Sequence, residues 1–190
     1  MDANKNPTGK RVTTNDYGSA DYYYVNKSSL PKVYGGFNTS LSWKGFDLSA
    51  IFAYSIGGYI YNRDVTMILH NGSLEGRDWS TEILRRWTPD NRYTDVPALS
   101  TTSNNWNSAS TRFLQNNSYM RLKNLTLSYN LPKQWISKLS LSSVQVYVQG
   151  DNLFTIHRNQ GLDPEQGITG ITYYRYPAMR TISGGINLSF

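Results

Sequence analysis

The chain has 190 residues, which is enough for one ordinary domain. Its formal net charge of +6 comes from Lys and Arg residues scattered along the sequence, whereas nucleic-acid-binding proteins cluster such residues on one surface. Nucleic acid is therefore not an expected partner, and the absence of cysteine excludes disulfide bonds and thiolate metal sites. Hydrophobic residues reach only 38% but aromatic residues reach 14%, which suits a membrane β-barrel or a carbohydrate-binding β-protein.

The first segment, residues 1–34, is rich in Asn, Thr, Ser, Lys and Gly, so it is predicted to be a long loop. Its main apolar mass is the run Tyr22-Tyr23-Tyr24, which either packs on the loop itself or forms a ligand surface. The first ten residues lack the apolar core of a signal peptide. No stretch has the roughly 20 predominantly apolar residues that a membrane-spanning helix needs.

A β-hairpin is predicted over residues 37–43 and 46–56, where bulky apolar residues alternate with polar ones. A two-residue turn at Lys44-Gly45 places bulky residues opposite one another on a single face: Trp43 with Phe46, Leu41 with Leu48, and Phe37 with Phe52. A turn longer by one residue would break this match. Lys is not the favoured first residue of a tight turn, so the sequence leaves the turn type open.

Residues 57–116 form a long connection of about sixty residues, which is rare in a compact soluble domain. One short helix is predicted within it. Ser80 or Asp78 caps the helix, Glu82 lies in its first turn, and Pro89 stops it. Outer-membrane barrels combine such long outer loops with short inner turns.

A third strand is predicted from about Ser118 to Leu131. Leu125, Leu127 and Tyr129 share one face, but Arg121 and Lys123 are in phase with them. Either a bulge near Lys123 shifts the register, or the charged side chains extend to the membrane edge. A short turn segment over residues 132–142 follows, in which Trp135 either anchors at the membrane interface or packs on its own turn.

Two more strands complete the pattern. The fourth, from Val144 to about Phe154, alternates valines with polar residues, and residues 155–179 form another long loop. The terminal strand, residues 180–190, places Ile182, Ile186, Leu188 and Phe190 on one face. Its length matches the roughly 9–11 residues with which a tilted strand crosses a bilayer. In water such a strand would be an edge prone to aggregation, whereas a closed membrane barrel pairs it on both sides.

The predicted fold is therefore all-β: the last five strands of an antiparallel up-and-down transmembrane β-barrel, with long extracellular loops. No strand is followed by a helix at crossover spacing, so a parallel sheet is not expected. A chain with these strands and no export signal is expected to be a piece of a longer protein. The alternative is a soluble β-sandwich that binds glycans through the loop tryptophans Trp79, Trp87 and Trp106.

No catalytic constellation is present, so an enzyme is not expected, and neither a cofactor nor a metal is predicted. His70 and His157 lie in predicted loops far apart in sequence and are expected to be solvated rather than zinc ligands. Asp163 and Glu165 flank a proline. Paired carboxylates of this kind serve glycoside hydrolysis in some proteins, but this spacing favours a turn with an Asx hydrogen bond.

Six motifs in order resemble the SusC/RagA family of TonB-dependent outer-membrane transporters. They are the stretches 33–38 (VYGGFN), 87–91 (WTPDN) with 94–97 (TDVP), 118–129 (SYMRLKNLTLSY), 151–154 (DNLF), 161–165 (GLDPE) and 187–190 (NLSF). Residues 1–30 lack the Asp-rich turn that often precedes the first motif in this family. The resemblance covers about residues 31–190.

The resemblance implies that residues 35–190 are the carboxy-terminal five strands of a barrel of about 22 strands with a plugged lumen, and that residues 1–34 are an extracellular loop segment. It implies an outer-membrane location with a periplasmic carboxy-terminus and import of oligosaccharides or oligopeptides. The implied partners are a SusD-like surface lipoprotein, the barrel-assembly machinery, outer-membrane lipid and, through an amino-terminal part absent here, the TonB complex.

Site predictions follow from this interpretation. The residues expected to face lipid are Phe37, Leu41, Trp43, Leu48, Phe52, Val144, Val146, Val148 and Ile182. Those expected to face the lumen include Ser40, Ser49, Gln145 and Asn187. The resemblance implies an assembly signal at Phe190, with Leu188 and Ile186. Candidate contacts to a ligand or to the lipoprotein lid are Trp79, Trp87, Trp106, Tyr173 and Tyr174.

Overall fold

A computed structural model of the chain describes residues 16–72, 74–102, 105–137, 140–159, 163–165 and 167–190. Predictions for residues 1–15 of the first loop, and for Gly161 and Leu162 of the fifth motif, lie outside these residues. The chain divides into two units. One comprises Lys27–Asn62 and Leu114–Phe190, and the other comprises Arg63–Phe113 with the described part of the first 26 residues.

The first of these units is built on a five-stranded antiparallel sheet. Its strands, in spatial order, are β1 (Val33–Trp43), β2 (Phe46–Ile56), β5 (Tyr119–Asn130), β6 (Ser143–His157) and β8 (Thr181–Ser189). These are the five predicted strands, with two differences in length. β1 begins at Val33, inside the predicted loop and four residues before the predicted hairpin, and β6 is three residues longer at its end than expected. The edges are β1 and β8, as the hairpin order of the sequence indicated.

The predicted hairpin register is confirmed. Trp43 pairs with Phe46, Leu41 with Leu48 and Phe37 with Phe52, and the Phe37 and Phe52 rings stack with centroids 4.7 Å apart. The turn is closed by Lys44 and Gly45, whose φ angles are 48° and 88°. Two consecutive positive φ angles define a type I′ turn, whose twist matches that of the flanking strands. The register therefore imposes a left-handed conformation on a lysine.

A bulge at Lys123 explains the mixed parity of the third predicted strand. Leu122 pairs with Phe52 and Asn124 pairs with Ile51, which leaves Lys123 as an extra residue. The extra residue reverses the side-chain alternation. Met120 and Leu122 therefore share the face of Leu125 and Leu127. Of the two interpretations that the sequence allowed, the bulge is correct.

Several short elements were not predicted. A second sheet joins β4 (Leu114–Asn116), β3 (Tyr59–Asn62) and β7 (Ile171–Thr172), in that order. The pair β3–β7 is parallel over two residue pairs, a contact that the sequence did not predict. Helix α2 (Lys133–Ile136) lies in the segment expected to be a simple turn.

The unit formed mainly by residues 63–113 contains helix α1 (Arg63–Ile68) and short 3₁₀ helices at Thr81–Arg85, Asn105–Asn107 and Thr111–Phe113. The helix predicted near residue 80 is the 3₁₀ helix Thr81–Arg85, and the Ser80 hydroxyl caps it by accepting a hydrogen bond from the Glu82 N–H. Helix α1 was not predicted. The buried apolar residues of this unit include Leu69, Ile83, Val96 and Phe113.

Candidate functional site

The large sheet has one continuous apolar face. Cross-strand partners share a face, so the pairings place Trp43, Phe46, Tyr129, Val146 and Ile186 in one row. The next row holds Leu41, Leu48, Leu127, Val148 and Gly184. All nine predicted lipid-facing residues lie on this face, together with Ile186 and Leu188. Most of these side chains are exposed, from 38% for Leu48 to 76% for Ile182, although Val144 is buried.

The apolar face also includes residues that were not among the predicted lipid-facing set. Phe154 and Ile156 extend it along β6, where they pair with Leu122 and Met120 of the same face. Phe46 and Tyr129 extend it at the turn end, with ring centroids 4.4 Å apart. In the sequence, these four residues alternate with more polar neighbours, and that alternation could have placed them in the predicted lipid-facing set.

The opposite face is polar and its side chains are linked by hydrogen bonds. At the turn end, the Asp47 carboxylate accepts hydrogen bonds from the Ser42 hydroxyl and, at 2.7 Å, from the Asn130 amide. Further across the sheet, the Gln145 amide donates to the Ser128 hydroxyl at 3.3 Å. The Asn187 amide in turn donates to Gln145 Oε1 at 3.1 Å. Ser40, Ser49, Gln145 and Asn187 all lie on this face, as the alternation predicted.

A buried ionic cluster ties the polar face to the segment that follows β6. Arg121 is 3% exposed, and its guanidinium donates to Asp163 Oδ1, to Glu165 Oε2 at 2.7 Å, and to the Thr155 hydroxyl at 2.9 Å. The bulge residue Lys123 also reaches Glu165, at 2.5 Å. The predicted Asx turn is present, since the Glu165 N–H donates to Asp163 Oδ1 at 2.9 Å. The ion pairs to Arg121 and Lys123 were not predicted.

Asp163 is held in its charged form by this cluster. Burial raises the pKa of the Asp163 carboxyl, but hydrogen bonds from the Ala178 and Glu165 N–H groups and the Arg121 guanidinium outweigh burial and lower the pKa below its ordinary value. A carboxylate with a lowered folded-state pKa stabilises the fold above its ordinary pKa of about 3.9. That contribution is lost as the pH falls through the lowered value.

We expect Asp163→Asn to destabilise the protein at pH 7 and to have a smaller effect at acidic pH well below about 3.9, because the contribution of the charge is lost as the pH falls through the lowered pKa of Asp163. The measurement is the difference in unfolding free energy between wild type and variant at the two pH values. Asp95→Asn is the control, because its side chain is 71% exposed. A difference that stays constant with pH would contradict the role of the charge.

The candidate tryptophans lie in the unit of residues 63–113. The Trp79 indole N–H donates to His70 Nδ1 at 3.0 Å, and the Trp106 indole N–H donates to the Leu69 carbonyl at 2.5 Å. Arg112 stacks over the Trp106 ring at 3.3 Å from its centroid. Trp79 and Trp106 are therefore each anchored by one hydrogen bond within this unit. Trp79 is nevertheless 46% exposed, and Trp87 is 44% exposed.

His70 is 1% exposed, so the expectation of a solvated histidine was wrong. Its Nδ1 accepts hydrogen bonds from the Trp79 indole and from the Gly72 N–H at 3.3 Å, so one of its two ring nitrogens is satisfied within the unit. His157 contacts the Asn159 carbonyl at 3.0 Å. Within the described parts of the chain, no group of three or more His, Cys, Asp or Glu residues could hold a metal ion.

The remaining aromatic candidates are exposed. Tyr173 and Tyr174 lie in the unit of the large sheet, with ring centroids 4.5 Å apart and exposures of 50% and 60%. In the first loop, Tyr22 makes an edge contact with Tyr17. All three residues of the Tyr22-Tyr23-Tyr24 run are more than 60% exposed, so they do not pack into the loop. Trp135 is likewise 65% exposed rather than packed on its turn.

Among the described helices, none is long and apolar enough to cross a membrane. No protein-family model matches the chain. It is 34% identical over 166 residues to TonB-dependent receptor P3 of Formosa agariphila, covering 82% of this chain and 16% of that receptor. It is 30% identical over 184 residues to TonB-dependent receptor P26 of the same organism, covering 90% of this chain and 18% of P26.

A third relative is the TonB-dependent receptor SusC of Bacteroides thetaiotaomicron, 28% identical over 168 residues, which are 88% of this chain and 16% of SusC. Among solved structures, the closed-closed state of the RagAB peptide importer matches 96% of the chain with a TM-score of 0.82 at 36% identity. The match covers 20% of that structure's chain. This chain belongs to the SusC/RagA family of TonB-dependent transporters.

The family resemblance found in the six sequence motifs is thus confirmed. The chain also matches the open-open state of the RagAB importer, over 94% of its length and 19% of that chain, with a TM-score of 0.80. Its likeness to the two states is therefore nearly equal. The chain spans only about a sixth to a fifth of the length of its SusC/RagA relatives.

Proposed function

We propose that this chain forms part of the wall of an outer-membrane β-barrel that imports nutrients in a TonB-dependent manner. The observation that carries the proposal is the two-faced sheet, which exposes a continuous apolar face across five strands and a hydrogen-bonded polar face behind it. In lipid, a strand must pair on both sides and turn apolar side chains outward. The family membership supports the same conclusion.

In this proposal the apolar face contacts lipid and the polar face lines the lumen. Five strands cannot close a barrel, since the smallest membrane barrels have about eight. The remaining strands belong to the rest of a longer protein, called the full-length transporter below. Ile186, Leu188 and Phe190 are proposed to form the assembly signal that the family resemblance implies.

We further propose that the full-length transporter works with a SusD-like surface lipoprotein and with the TonB complex, and that the barrel-assembly machinery inserts it. The cargo is an oligosaccharide or an oligopeptide. Among the named relatives, the RagAB peptide importer supports the oligopeptide class. Residues 1–34, 57–116 and 155–179 are proposed to be extracellular, where the exposed aromatic residues Trp87, Tyr173 and Tyr174 meet cargo or lid.

Cell fractionation tests the proposed location. The full-length transporter is expected in the outer-membrane fraction, migrating as a compact species on gels without heating and as an unfolded species after heating. A protein that appears instead in soluble fractions, folded and monomeric without detergent, would favour the alternative of a soluble glycan-binding module.

Surface proteolysis tests the proposed orientation. In intact cells a protease specific for basic residues is expected to cleave at Arg85 or Arg158 and to spare Lys133, which lies in α2 at the other end of the strands. Cleavage sites are identified by mass spectrometry, with permeabilised cells as the control in which Lys133 becomes accessible. Cleavage at Lys133 with protection of Arg85 and Arg158 in intact cells would reverse the topology.

A further inference from the structure

Two tyrosines flank a serine on the polar face of the large sheet. Tyr34 of β1 pairs with Ser55 of β2, and Ser55 pairs with Tyr119 of β5. The three side chains therefore rise from the same face in a row. Neighbouring strands are about 4.8 Å apart, so the two tyrosines start roughly 9–10 Å from each other. A flat ring in contact with a phenol on either side needs about 7–8 Å between those phenols.

A cavity occupies this position. It has a volume of about 330 Å³, and its lining includes Tyr34, Ser55 and Tyr119 together with Ala53 and Pro164. Ligand pockets generally measure about 300–1,000 Å³, so this cavity is suited to a single ring of a larger molecule. The space between Tyr34 and Tyr119 in this cavity is called the slot below. Tyr34 is 77% exposed, so one wall of the slot is open to solvent.

Hydrogen bonds fix the other walls of the slot. The Asn117 amide donates to the Pro164 carbonyl at 2.8 Å, and the Ser29 hydroxyl donates to the Ile168 carbonyl at 2.9 Å. The buried pair of Arg121 and Asp163 holds the segment that carries Pro164. The slot therefore exists before any ligand arrives, which lowers the entropic cost of binding.

The chemistry of the lining indicates an uncharged, hydroxyl-bearing ring. None of the described residues that line the cavity carries a formal charge. Among described residues, the hydroxyls of Tyr34, Ser55 and Tyr119 form no hydrogen bond with protein. A purely apolar ring would bury these hydroxyls without partners, at a cost. A sugar ring presents C–H faces to the phenols and hydroxyls at its edge.

We propose that the slot between Tyr34 and Tyr119 binds one sugar ring of a neutral oligosaccharide. The proposal rests on the proposed function, in which the polar face lines the lumen through which cargo moves. It selects the oligosaccharide from the two cargo classes named above. Tyr34 and Tyr119 stack on the ring, and Ser55 bonds its edge.

The test measures binding to the purified full-length transporter by calorimetry. The probes are neutral hexasaccharides of glucose, mannose, xylose and galactose, with uncharged Phe-containing hexapeptides for comparison. At least one hexasaccharide is expected to bind, and Tyr34→Ala and Tyr119→Ala are expected to weaken its binding at least about tenfold. Tyr34→Phe, which keeps the ring, is expected to lose less than about threefold.

Two further variants keep the result interpretable. Ser55→Val removes the floor hydroxyl and narrows the slot, so it should weaken binding even if Tyr119→Ala fails to assemble in the barrel. Tyr93→Ala removes a fully exposed tyrosine elsewhere and should leave binding unchanged. Binding of no hexasaccharide, binding only of peptides, or equal affinity in wild type, Tyr34→Ala and Ser55→Val would overturn the proposal. Outer-membrane fractionation of the same protein separates these results from a failure of the proposed transport function.

Discussion

Replacing Arg121 with Met in the full-length transporter is expected to lower the free energy of unfolding by about 3–5 kcal/mol. The Arg121 and Asp163 side chains are only 4% and 7% exposed, so removal of the cation leaves a buried carboxylate without its ionic partner. Unfolding of the detergent-solubilised or vesicle-inserted protein by urea provides the measurement. Arg85→Met is the matched control, because the Arg85–Glu82 ion pair is exposed and should contribute little.

A double variant separates the ion pair from simple loss of packing. If the cost of Arg121→Met arises from the unpaired carboxylate, then Arg121→Met combined with Asp163→Asn should be less destabilised than the sum of the two single variants. Additive effects would show that the two side chains contribute independently. A loss no larger than that of Arg85→Met would show that the cluster is not buried in the assembled transporter.

The sequence predicted the register of the large sheet wherever alternation and a turn act together. The pairing of Trp43 with Phe46 followed from the two-residue turn, because any other loop length would have separated the bulky residues. Alternation alone could not decide between a bulge and extended charged side chains near Lys123. In the structure, the ammonium of the bulged Lys123 donates a hydrogen bond to the Glu165 carboxylate. Glu165 lies 42 residues further along the chain, so local alternation carries no information about this contact.

The ion pairs of Arg121 could not be predicted from local sequence patterns for the same reason. Asp163 and Glu165 look like turn residues in the sequence, and they do form an Asx turn. Their partner lies in a strand more than forty residues earlier, and no periodicity connects the two. The available signal was that Arg121 shares the parity of the apolar residues in the predicted strand, since a charged residue needs a partner when it is buried.

The small sheet was missed because its strands are too short to show a pattern. β7 has two residues and β4 has three, whereas alternation becomes informative over about four to eight residues.

The prediction that His70 is solvated was wrong because its position in a predicted loop suggested exposure to solvent. Its hydrogen-bond donor, the indole of Trp79, lies nine residues further along the chain, a separation that matches no helical or strand spacing.

The register of the large sheet gives the distance of each row from the tight turn. Val146 lies in the row of Trp43, Phe46 and Tyr129 next to the turn. Leu125 lies two rows further from the turn, level with Ala50 and Ile182. In the proposed barrel, the aromatic row lies at the membrane interface and the row of Leu125 lies deeper, so the two rows are expected to respond differently to a charge.

Leu125→Arg in the full-length transporter is expected to cost about 2–4 kcal/mol, because it places a cation in the middle of the hydrocarbon. Thr126→Arg should cost much less, since the adjacent residue lies on the polar face beside Asn124. Val146→Arg should fall between them, because the penalty declines toward the interface. Folding equilibria in lipid vesicles measure all three variants, and comparable penalties for Leu125→Arg and Thr126→Arg would mean that the two faces are not divided between lipid and lumen.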